Sequence, residues 1–477
     1  MLFNTKNLNL NDLIKLIPWI IIVLSIGTQP SDFELIGKSK AGTFNAIRIF
    51  FALTTSLIII IFFFKDIISN FLRKKNEINF KEKYFIFYLF LIYYIFQLFG
   101  YLLNFADLKN SGFSDNLYLI VLSFAFIAYF FLIRKQLSSE TLKFFLFFLY
   151  FLICSSGIIF TIVHISKSSL ESANYFSLYN SVLSQHQFFM NHELPRVTGI
   201  SRSLSILNII FIFFYFYNVK NKIKFCVLPI ILTLSILIFA FQSRGTIICF
   251  VLSVCFLIFL FKNEKLKDKL YILIVSIILS YFIYESIRFF QFEAIKNEKN
   301  ISIFSPLKSD KKIVIPFEKE KINNILIDKN RLLDFTSSGR TELWKKSFQE
   351  FKKNKIFGYG PQGDRYLLRE NIKINISNNV SNGYVYSILS SGYMGFLVFL
   401  IIIIYLCVFL FRSLFVYRIY KKKNNLIEKL SLTFFFYFLL RLCIENSFAV
   451  FGIDFIIVSA AIGLFLLKDK NYVRIIL

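Results

Sequence analysis

Phe396-Leu-Val-Phe-Leu-Ile-Ile-Ile-Ile-Tyr-Leu-Cys-Val-Phe-Leu-Phe411 carries no charged residue, and the run extends back to Tyr384 without acquiring one. A helix needs about 20 apolar residues to cross the hydrocarbon of a bilayer, so 384–411 reads as a membrane span. Similar runs recur near 13–27, 46–64, 84–104, 116–133, 144–165, 203–218, 225–241, 246–261, 270–288, 430–447 and 449–467. The sum is about twelve crossings. The chain of 477 residues contains 64 Phe and 25 Tyr, and its mean hydropathy is +0.62. A soluble globule could not hide that much apolar surface, so the lipid is its solvent. The predicted class is an all-α integral membrane protein with about 12 transmembrane helices.

The net charge of +26 would point to nucleic acid in a soluble protein. Here Lys and Arg come in short bursts between apolar runs, at 65–83, 134–143, 218–224, 262–269 and 412–429. These connections alternate along the chain, and the opposite short connections hold only a handful of basic residues, so the basic ones face the cytoplasm. Both termini are then cytoplasmic, and no nucleic-acid partner is expected. The opposite face receives a loop at about 166–202 and a polar stretch at 289–383. The predicted organisation is spans one to nine over 1–288, a large, partly helical extracytoplasmic loop over 289–383, and spans ten to twelve with a cytoplasmic tail over 384–477. The six cysteines lie in apolar runs without a CxxC pair and read as small buried residues. No cleavable signal peptide is evident.

Within 289–383, residues 341–355 read as an amphipathic helix, with Leu343, Trp344, Phe348 and Phe351 at helical spacing. Gly358-Tyr359-Gly360-Pro361 then breaks it. No nucleotide-binding loop, HExxH or DxD-type carboxylate pair is present, so no cofactor and no metal are expected. Arginine stands out instead: Arg48, Arg196, Arg202, Arg244, Arg288, Arg340 and Arg441 all fall on the predicted outer side or within a span. A guanidinium stays charged and its planar fork matches phosphate oxygens, so a group of these would suit a lipid-linked diphosphate. Arg48, Arg202 and Arg288 read better as residues reaching for lipid headgroups. Arg244 sits in the tight turn Ser243-Arg244-Gly245-Thr246, and Arg340 follows Ser-Ser-Gly at a helix start, where backbone N–H groups also favour an anion. Arg441 and Glu445, four apart, share a face as a buried ion pair, unless Glu445 aims Arg441 at substrate or serves as a base. Other candidate bases are His186, His192, Glu342 and Asp364. Tyr359 either faces a sugar ring or is a packed loop aromatic.

The order of these motifs resembles the O-antigen ligase and O-antigen polymerase group of bacterial envelope enzymes. The resemblance covers roughly 195–465. It rests on Arg196-Val-Thr-Gly199, Ser243-Arg-Gly245, Ser338-Gly-Arg340 followed by Trp344, Gly358-Tyr-Gly360, and Ser381-Asn-Gly-Tyr384 running into Gly392-Tyr-Met-Gly395. The resemblance implies a bacterial inner-membrane enzyme that moves undecaprenyl-diphosphate-linked glycan to an acceptor sugar hydroxyl at the periplasmic face. It implies Arg244 and Arg340 as diphosphate-binding, catalytic residues. Glu445 joins them as a catalytic candidate, with Arg196, Arg441, Tyr359, Ser381 and Asn382 as substrate-binding ones. Partners would be the lipid-linked oligosaccharide, an acceptor glycan or lipid A core, and membrane lipids, with a chain-length regulator as a further candidate. Ligases of the family carry His-Asn where this chain has Ser381-Asn382. Serine is a poor base, which favours a repeat-unit polymerase over a ligase. A lipid-linked oligosaccharide flippase is the reading from another class. No two-half symmetry supports it.

Overall fold

The computed structural model describes residues 10–27, 38–72, 85–110, 120–125, 139–172, 198–217, 221–240, 243–261, 265–286, 340–351, 356–361, 363–367, 380, 382–419, 426–445 and 453–466. Nearly all of them are helical, with no strand among the described residues. In chain order the helices are α1 (Leu10–Gly27), α2 (Lys38–Leu72), α3 (Phe85–Leu103), α4 (Phe105–Asn110), α5 (Ser139–Ser172), α6 (Thr198–Tyr217), α7 (Asn221–Ala240), α8 (Arg244–Leu260) and α9, which starts as Leu266–Leu273. Then follow α10 (Arg340–Phe351), α11 (Gly363–Tyr366), α12 (Gly383–Ile419), α13 (Leu426–Arg441) and α14 (Ile453–Leu466).

Phe85–Leu103, Glu140–Ile159, Ile200–Tyr217 and Gly383–Leu414 are long and apolar enough to cross a membrane, and five shorter apolar helices accompany them. The protein is a multi-pass membrane protein. Of the crossings predicted from sequence, these four have counterparts among the long apolar helices, and the one at 116–133 is described only over 120–125. Side chains such as Phe50, Ile61, Ile404 and Phe411 are exposed on these helices, as lipid-facing positions require. The cysteines correct the sequence reading: Cys154 and Cys249 are buried, but Cys226, Cys255 and Cys443 are exposed.

The chain divides into two compact units, Met1–Leu149 with Ser337–Leu477, and Tyr150–Thr336. In the second unit α6 packs on α7 and α8. Asn208 of α6 donates to Ser235 Oγ of α7 at 2.7 Å, so a buried polar pair pins that contact. The helix begun by α9 runs through a π-helical stretch, Ile274–Leu279, where Ser280 Oγ donates to Val275 O.

In the first unit the most extensive packing joins α3 and α12, while α14 packs on α1 and α13. The sequence reading of 384–411 as one straight span needs correction. Gly392 has φ 68° and ψ −171°, outside any helix. The Tyr384 ring lies 6.0 Å from that of Phe399, whereas these positions on a straight helix would be about 22 Å apart. The chain therefore doubles back at Gly392. Residues 383–391 (α12a) lie beside the long helix 393–419 (α12b).

A break of this kind frees backbone carbonyls, and in a membrane each must find a donor. The Gly-Tyr-Gly-Pro turn supplies them. Tyr359 N–H donates to Leu389 O and Gly360 N–H to Ser390 O, both at 2.9 Å. Asn104 at the end of α3 donates to Gly358 O at 3.0 Å, and Gln97 donates to Ser390 Oγ at 3.1 Å. Two glycines make the approach possible. A Cβ on Gly392 would stand 2.1 Å from Ile356 O, and one on Gly358 (φ +69°) 2.6 Å from Gly392 N. Gly392→Ala should therefore lower stability by about 3 kcal/mol or more, from strain and overlap together. Thermal unfolding of the detergent-solubilised protein measures this, and an unchanged midpoint would contradict the broken-helix geometry.

Candidate functional site

The site in the first unit is built from three helix ends. The first is α10, which begins at Arg340. Its buried stripe is Ser347 and Phe351, with Trp344 half-buried one turn earlier. Phe351 packs edge-on against Tyr393 at 5.3 Å. Residues 352–355 of the predicted helix lie outside the described residues, and Phe348 is exposed instead of joining the stripe.

The second end is the start of α12a. Asn382 Oδ1 accepts the N–H groups of Tyr384 and Val385 at 2.9 and 3.0 Å, which caps the helix. Its Nδ2 donates to Cys443 O at 2.9 Å, and Gly383 N–H donates to Leu442 O at 2.9 Å. The third end is therefore the close of α13, where residues 442–445 turn back after Arg441.

Val380 ties the first two ends together. Its carbonyl accepts from Trp344 Nε1 at 2.8 Å, and its N–H donates to Asp364 Oδ2 at 3.2 Å. Asp364, on α11, is buried. Its carboxylate accepts a backbone N–H. Arg340 stands one turn before Trp344, about 6 Å along the helix. The starts of α10 and α12a and the close of α13 are thus linked through Trp344, Val380 and Asn382.

Arg441 is buried, and its Nη1 donates to Asp454 Oδ2 of α14, also buried. The sequence reading named Glu445 as the partner and did not single out Asp454. Glu445 N–H donates to Arg441 O at 2.8 Å, and its side chain is half-buried. Tyr359 is 3% exposed, with its ring 5.8 Å from that of Tyr366. It takes the packed-aromatic position.

Arg244 belongs to the second unit. It is the first residue of α8, half-buried, after a connection of only residues 241–243. Ser243 Oγ and Thr246 Oγ1 are hydrogen-bonded at 2.9 Å, and Ile247 N–H donates to Ser243 O at 2.9 Å. The candidates Arg196, His186, His192, Arg288 and Ser381 lie outside the described residues.

Residues 229–400 match the family model for O-antigen ligase. Over these residues, about a third of the chain, the sequence is similar to the O-antigen ligase family. The matched residues include Arg244, Arg340, the Gly-Tyr-Gly turn and the whole of α12a. Arg441, Glu445 and Asp454 lie beyond the matched end. No curated protein and no solved structure matches the chain. Asp454 was legible in principle: it is the only charged residue in the apolar run 449–466, and such residues are seldom idle in a membrane. Gln97, alone in α3, carries the same signal.

Proposed function

We propose that this protein is an undecaprenyl-diphosphate-dependent polymerase of glycan repeat units. The observation that carries the proposal is the placement of Arg244 and Arg340, each the first residue of a helix within the matched residues 229–400. A cation there opposes the helix dipole, at a cost of about 0.3–1 kcal/mol. A bound anion at a helix start offsets that cost. In the proposed reaction the bond between the donor sugar and the diphosphate breaks. The acceptor hydroxyl oxygen forms the new glycosidic bond, its proton passes to a base, and the lipid diphosphate leaves. A guanidinium stabilises the charge that grows on that leaving group. Glu445 is the proposed base. Asn382 and Arg441 order the acceptor side. The polymerase reading draws on Ser381, which stands where the family's ligases carry histidine.

A flippase would use a broken helix to offer free backbone to its cargo. The break at Gly392 offers none of the carbonyls of Leu389 and Ser390, because Tyr359 and Gly360 already hold them. The test is a strain lacking this gene, with surface glycan resolved by size. Loss of the ladder with single repeat units kept on the lipid A core supports a polymerase. Loss of all surface glycan, with long lipid-linked chains accumulating, would establish a ligase instead. Complementation with Glu445→Gln should fail to restore the ladder; full restoration removes Glu445 from the mechanism.

A further inference from the structure

We propose that Trp344 and Asp364 are positioning residues, whose clasp on the backbone of Val380 sets the register between the start of α10 at Arg340 and Asn382. The inference rests on the reading of Arg340 as a diphosphate-binding residue. It concerns how that residue is aimed.

The argument begins with hydrogen-bond accounting. Val380 is fully buried, so both of its backbone groups need partners. Neither group finds one in a helix ladder: the carbonyl is met by Trp344 Nε1 at 2.8 Å and the N–H by Asp364 Oδ2 at 3.2 Å. Both partners are side chains, and each comes from a different short helix of the polar stretch. Trp344 is on α10, four residues after Arg340. Asp364 is on α11, which follows the turn that seals the break at Gly392. Val380 is two residues before Asn382, which caps α12a and reaches the turn after Arg441. One residue's two backbone groups therefore register α10 and α11 against the start of α12a.

Two details argue that this contact serves position more than bulk packing. Trp344 is half-buried, so its ring is not a core filler, yet its one polar atom is spent on the clasp. Asp364 is 2% exposed, and a buried carboxylate is costly unless its bonds are specific. An asparagine would keep an acceptor at the same place without the charge. Misplacement by an ångström at a reacting centre can cost about a hundredfold in rate, so a small slip of α10 would show in turnover before it shows in folding.

The test uses the full-length protein in nanodiscs with lipid-linked repeat units as substrate, titrated to separate kcat from KM. Trp344→Phe and Asp364→Ala should lower kcat about tenfold or more while donor KM changes less than about twofold. Asp364→Asn should stay near wild type. Hydrogen exchange of the peptide containing Val380 should quicken in Asp364→Ala and remain slow in Asp364→Asn. Arg340→Ala in the same series separates the two claims. If Arg340→Ala is inactive while Trp344→Phe and Asp364→Ala turn over normally, the clasp has no positioning role and the proposal is overturned. If Arg340→Ala turns over normally, the reading of Arg340 falls, and the clasp's proposed purpose falls with it. Equal losses in Asp364→Asn and Asp364→Ala, with exchange unchanged in both, would also overturn it, since the carboxylate would then act by charge.

Discussion

Arg340→Ala is expected to lower glycan chain growth by about 10²–10³-fold, the usual loss when one preorganised donor to a developing anion is removed. Arg340→Lys should recover only part of that. An ammonium keeps the charge but not the planar pair of N–H groups that grips two phosphate oxygens. The folded state should be nearly indifferent to either change. The guanidinium opposes the dipole of α10, so its loss removes a small unfavourable term. The pattern to look for is thus inactivity at wild-type melting temperature, measured as ladder formation in membranes and thermal unfolding in detergent. Wild-type ladder length in Arg340→Ala would remove this arginine from the chemistry.

The second large effect concerns stability. Arg441 and Asp454 form a buried ion pair between the close of α13 and the start of α14. Removing either partner leaves an uncompensated buried charge, which costs about 3–5 kcal/mol. Arg441→Ala and Asp454→Ala should each lower the unfolding midpoint sharply. The double replacement Arg441→Met with Asp454→Leu should restore much of it, because a matched apolar pair avoids the desolvation that the ions endure. That double variant also separates two roles. If it folds and still polymerises, Arg441 is structural only; if it folds and is inactive, Arg441 contributes to substrate binding as well. Equal melting of all four proteins would contradict the buried pair.

Local features of this protein were readable from its residues, and those that depend on distant partners were not. The apolar runs located the helices because composition alone decides what a bilayer accepts. The α10 helix and the Gly358–Pro361 turn were also legible, since helical spacing and glycine are local signals. The doubling back at Gly392 was not. In sequence that glycine sits between serines and a long apolar stretch, and the donors that make its break tolerable come from Tyr359 and Gly360, some thirty residues earlier. The same holds for Arg441, for which the nearest carboxylate in sequence, Glu445, was the obvious partner. The one that meets its guanidinium begins the next helix. Trp344 was read as part of an apolar stripe, and only its indole N–H, aimed at Val380 O, reveals a second task.

The most direct test of the central claim is reconstitution. The purified protein in nanodiscs would be given lipid-linked single repeat units as the only glycan, with products sized and released lipid diphosphate counted. The account predicts lipid-linked products of two, three and more repeats, with one lipid diphosphate released for each new glycosidic bond and none from Arg340→Ala. No lengthening with lipid-linked units alone, and transfer only once lipid A core is added, would contradict it and identify a ligase.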